Sequence, residues 1–80
     1  MSERVKFLGQ LAEAEAEERR LKLKAEGLVR SMRDLLDPIK DPDLLREDLV
    51  LEQSVDLANS VALLREKQQT VNRIKDELGR

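Results

Sequence analysis

The chain is 80 residues long, 40% charged and 40% apolar, with a formal net charge of −2 and one aromatic residue, Phe7. It has neither cysteine nor histidine, which excludes disulfide staples and the usual zinc ligands, and its small net charge offers no bulk attraction to nucleic acid or anionic lipid. So dense a mixture of Ala, Leu, Glu, Lys and Arg belongs to long helices and coiled coils, and a chain this short buries too little surface for a secure core of its own.

A first helix is predicted over about residues 3–36. Phe7, Ala14, Leu21, Leu28 and Leu35 recur every seven residues, with Arg4, Leu11, Glu18, Ala25 and Met32 as the companion column of a heptad seam. Glu15–Arg19 and Glu18–Lys22 are favourable pairs four residues apart. Gly27 costs about 1 kcal/mol relative to alanine in a helix interior, a cost offset only if it admits a neighbouring backbone. The stretch Asp37-Pro38-Ile39-Lys40-Asp41-Pro42 contains both prolines and predicts an elbow over about 37–41, because proline disfavours helical geometry in the residue before it. Asp41-Pro42 is then a start signal, with an N-cap carboxylate ahead of proline at the first helical position. A second helix follows over about 42–78, and residues 42–48 could also form a separate turn ahead of it. Val50, Leu57, Leu64, Val71 and Leu78 recur every seven, accompanied by Ser54, Val61, Gln68 and Lys75, and Gly79 supplies the stop.

Charge along the chain predicts how the helices meet. Residues 3–18 set Glu3, Glu13, Glu15, Glu17 and Glu18 against Arg4 and Lys6, net −3. Residues 19–33 set Arg19, Arg20, Lys22, Lys24, Arg30 and Arg33 against Glu26, net +5. Residues 37–56 set Asp37, Asp41, Asp43, Glu47, Asp48, Glu52 and Asp56 against Lys40 and Arg46, net −5. Residues 65–80 set Arg65, Lys67, Arg73, Lys75 and Arg80 against Glu66, Asp76 and Glu77, net +2. Folding at the elbow makes residues whose numbers sum to about 79 level, which lays opposite charges side by side; flanking charges of this kind select orientation. The expected fold is all-α, an antiparallel two-helix hairpin with coiled-coil-like packing.

One facing helix cannot cover all the apolar residues of helix two. Leu44, Leu51, Val55, Ala58 and Ala62 fall beside the heptad seam and widen the apolar face to about 180°. These five are the candidate protein interface, to be covered by a second hairpin in a four-helix bundle or by another helical protein. In layout alone, and through no shared motif, the chain resembles the Rop-type plasmid copy-number regulators, helical hairpins that dimerise into a bundle contacting RNA. That resemblance implies a dimer and transfers no residue.

Other functions find little support in the residues. The run Glu13-Ala14-Glu15-Ala16-Glu17-Glu18 lacks the histidine that carboxylate-bridged metal bundles pair with glutamate, and reads as a solvated helix face, with Glu18 as a polar register key on the seam. Arg19, Arg20, Lys22 and Lys24 are the best nucleic-acid candidates and carry the alternative reading, a small RNA- or DNA-binding regulator. Against it stand the acidic start of helix two and the lack of aromatics for base stacking. The hydroxyls Ser2, Ser31, Ser54, Ser60 and Thr70 have no histidine base, and no glycine-rich phosphate loop is present, so no enzyme, cofactor, metal or small-molecule substrate is expected. No apolar run approaches the ~20 residues of a membrane span, and Met1-Ser2-Glu3-Arg4-Val5-Lys6 lacks the apolar core of a secretory signal. The expectation is a cytoplasmic, non-catalytic interaction or assembly module that self-associates, as a homodimer, or docks on partner helices.

Overall fold

A computed structural model of the chain describes residues 2–37 and 39–79. Two long helices, α1 (Glu3–Leu35) and α2 (Glu47–Glu77), lie against each other along a molecule 61 × 17 × 17 Å in extent, with a short 3-10 turn, Pro42–Leu44, between them. The described residues contain no strand. The antiparallel hairpin expected from the charge pattern is the observed fold.

Each helix end has an identifiable cause. Ser2 is the N-cap of α1 and its hydroxyl accepts the amide of Val5 at 3.3 Å, satisfying one of the donors a helix leaves unpaired. At the other end the Leu36 amide closes on the Met32 carbonyl, and Lys40 Nζ donates to the Asp34 carbonyl at 3.0 Å. The Asp37 carboxylate accepts the Ile39 amide at 3.0 Å, a local bond that competes with helix continuation. Pro38, which carries part of the stop signal, lies outside the described residues. Gly79 ends α2 at φ 75°, the left-handed geometry that glycine adopts freely.

The second helix starts later than Asp41-Pro42 predicts. That pair does open a helical turn, but the turn closes when the Leu45 amide bonds the Pro42 carbonyl at 3.1 Å, and Leu45 itself is extended. Runs of 3-10 geometry rarely exceed three or four residues. The α-helix restarts at Glu47, whose carboxylate and that of Asp48 sit in its first turn, where the helix dipole favours negative charge.

The longer elbow shifts the register between the helices. Leu11 and Ala14 share a core cluster with Val71, Ile74 and Leu78, with Phe7 and Leu8 packed against it. A fold at the prolines alone would have set Leu11 and Ala14 beside residues near 68 and 65, between one and two turns away. The heptad column of α2 points inward as expected: Val71 and Leu78 are buried and Val50, Leu57 and Leu64 half-buried. Its more buried companions, however, are Ser60 and Ile74 rather than Val61 and Lys75, so α2 is rotated relative to the predicted seam. In α1 the predicted seam holds, with Leu11, Ala14, Leu21 and Ala25 buried and only Arg4 of that seam exposed. Ala14, Ala25 and Ser60 are small, which suits two helices in close contact. Gly27 has no such role: a Cβ placed there meets nothing within 4 Å.

Candidate interaction surface

The two halves of the hairpin are packed differently. Away from the elbow, the cluster around Leu11, Val71 and Ile74 packs the helices together beside a polar-rimmed concavity of about 540 Å³. Toward the elbow an open groove of about 480 Å³ runs between the helices. Its floor is apolar: Ala25 and Val29 from α1 face Leu57, Val61 and Leu64 from α2. Its rim on α1 is charged, with Lys22, Arg30 and Arg33 around Glu26. A second apolar concavity lined by Val29, Met32, Leu36 and Leu57 continues it toward the elbow.

None of the five predicted interface residues lines this groove. Leu44, Leu51, Val55, Ala58 and Ala62 are all exposed, Leu51 by 67% and Val55 by 52%. At 100° per residue, Leu51 and Ala58 follow Val61 around α2, and Val55 and Ala62 lie one step further. Leu51 and Ala58 thus lie toward the outer back of α2, and Val55 and Ala62 face away from α1. The side opposite the groove, farther from the elbow, is polar, with Gln10, Glu13, Glu17, Lys67 and Arg73 beside Thr70.

Sequence reasoning placed Ala25 and Met32 on the heptad seam and missed Val29 and Leu36 of the groove wall. Val29 and Leu36, seven residues apart and next to the seam residues Leu28 and Leu35, form an apolar strip that the stronger repeat masks. Leu57 and Leu64 belong to the groove as much as to the seam, since both are half-buried and line it.

The basic residues do not form a stripe. Arg19, Arg20, Lys22 and Lys24 are all exposed, but they project around the circumference of α1 rather than along one face. Arg20 is engaged by Glu17 through a two-pronged hydrogen bond, Nε to Oε2 at 3.0 Å and Nη2 to Oε1. That bond lowers the Glu17 pKa and raises that of Arg20. Lys22 stands on the groove rim. The other ion pair among the described residues is Arg46–Asp48 at 3.7 Å, so no salt bridge joins the two helices. In the observed register the basic segment of α1 lies beside about residues 53–67 of α2.

One half-buried polar group has no partner, the Gln53 Oε1 oxygen near the elbow. Among the described residues no group of three or more acidic side chains could hold a metal ion, and no helix is long and apolar enough to cross a membrane. In comparisons with known proteins, no family model, curated protein or solved structure matches the chain.

Proposed function

We propose that this chain is a non-catalytic helical assembly module, which uses exposed apolar surface of the hairpin to self-associate or to dock on partner helices. The observation that carries the reading is exposed area. The chain presents 6211 Å² of surface, whereas a compact monomer of its 9.2 kDa mass presents about 4,900 Å² by the scaling of folded proteins. The excess of about 1,300 Å² exceeds the ~800 Å² that each partner typically contributes to a stable interface. Leu36, Leu44, Leu51 and Val55, exposed toward the elbow, supply part of it.

Thermal melts followed by circular dichroism over a hundredfold range of concentration test the reading. Because association is linked to folding by mass action, a melting temperature that rises with concentration supports self-association. A constant melting temperature removes the self-association arm. Docking on another helical protein would then need a bound partner that Val61→Lys, on the groove floor, releases.

A further inference from the structure

We propose that the hairpin is built in two parts, a clamp at its free ends and an elbow end that opens and closes while the clamp stays shut. Opening does not depend on association. Three features of the chain place the boundary and make the elbow end the weaker part.

The first is burial. Leu11 and Ala14 pack with Val71 and Ile74, so residues whose numbers sum to about 85 are level in the two helices. Of the buried residues, Ala25 in α1 and Ser60 in α2 come nearest the elbow, and they are level with each other. No described residue between them, 26–59, is buried. The stretches 26–35 of α1 and 47–59 of α2 are no longer than the ~12–15 residues below which a helix is marginal in water without packing.

The second is local preference. Gly27 falls within this stretch of α1, and an added Cβ there meets nothing within 4 Å, so the glycine lowers helix stability without gaining a contact. Helix α2 starts at Arg46 without a side-chain cap, and Asp41 supplies none to the turn before it, whereas Ser2 caps α1 in the clamp. The third feature is polar. Gln53 Oε1 is buried without a partner in the elbow end, and opening returns it to water.

Opening leaves residues 26–59 as one loop closed by the clamp. The clamp can hold so long a loop, because closure entropy grows only with the logarithm of loop length. The exposed side chains of Leu36, Leu44, Leu51 and Val55 all belong to the opening end, so association through them would also order it.

Amide hydrogen exchange on the full chain, read by mass spectrometry on peptides from the elbow end and from the clamp, tests the division. A part that opens by itself exchanges according to its own stability, whereas the clamp exchanges only with full unfolding. Ile74→Val, a mild truncation within the clamp cluster, separates the two. In the parent, amides of 26–35 and 47–59 should exchange at least about tenfold faster than those of the clamp. Ile74→Val should speed clamp exchange by about two- to twelvefold and leave the elbow end unchanged. One common rate in the parent, or equal acceleration of both parts by Ile74→Val, shows a single cooperative unit and overturns the proposal. A clamp that exchanges faster than the elbow end overturns it as well.

Discussion

Replacing Leu51 by glutamate separates the stability of the hairpin from that of its assembly. Leu51 is 67% exposed in the single hairpin, so the chain alone gains little from its burial. Fully burying a leucine is worth about 1.5–3 kcal/mol, so covering the exposed two-thirds yields about 1–2 kcal/mol per copy. A two-fold dimer loses that twice, about 2–4 kcal/mol, which is roughly a thirty- to thousandfold rise in the dissociation constant. Placing a carboxylate in a dry contact raises it further. Within the isolated helix the same substitution is an exposed change worth under about 0.5 kcal/mol. Light scattering and circular dichroism along a dilution series should therefore show Leu51→Glu dissociating at concentrations where the parent is associated, and its helicity falling only as far as dissociation destabilises the chain. Ile74→Ala is the contrasting variant. Ile74 is buried in the cluster with Leu11 and Val71, and its truncation should cost about 2–5 kcal/mol at every concentration. If Leu51→Glu keeps the parent's mass throughout the series, the covered surface lies elsewhere and the reasoning fails.

Three smaller effects follow from individual residues. Gly27→Ala should raise stability by about 0.5–1 kcal/mol, since the site is mid-helix and an added Cβ meets nothing within 4 Å; an unchanged or lower melting temperature would show that something outside the hairpin approaches this backbone. Gln53→Met removes a buried acceptor that has no partner, and should raise the melting temperature by several degrees, consistent with an unpaired group costing about 1–3 kcal/mol. The Glu17 carboxyl is held below its ordinary pKa by the hydrogen bond from Arg20, so its small contribution is present above the ordinary carboxylate pKa and lost as pH falls from there through the lowered one. Glu17→Gln should flatten that part of the acid titration of helicity, and an identical titration in both chains would show the pair to be without effect.

The legible and illegible parts of this fold divide by the range of the interactions that set them. Helix α1 and the inward column Val50, Leu57, Leu64, Val71, Leu78 follow from a period that any stretch of the sequence repeats. The stop at Gly79 and the acidic first turn of α2 are likewise local. The register was not legible, because it depends on how many residues the elbow takes up, and the turn at Pro42–Leu44 was one of two acceptable continuations of Asp41-Pro42. Once the register moved, the companion column of α2 moved with it, from Val61 and Lys75 to Ser60 and Ile74. The candidate surface was half legible: Leu51, Val55, Ala58 and Ala62 stand out as apolar residues beyond the reach of one facing helix. Val29 and Leu36, from the α1 wall of the groove, were the part that the heptad reading left out.

Sedimentation equilibrium of the unmodified chain, from about one to one hundred micromolar, tests the central claim most directly. The range brackets the dissociation constants of modest interfaces, about −8 kcal/mol at one micromolar. Self-association through the exposed apolar surface predicts a mass rising toward twice the 9.2 kDa of one chain, reached within that range. A mass of 9.2 kDa at every concentration, with helicity intact, would contradict it.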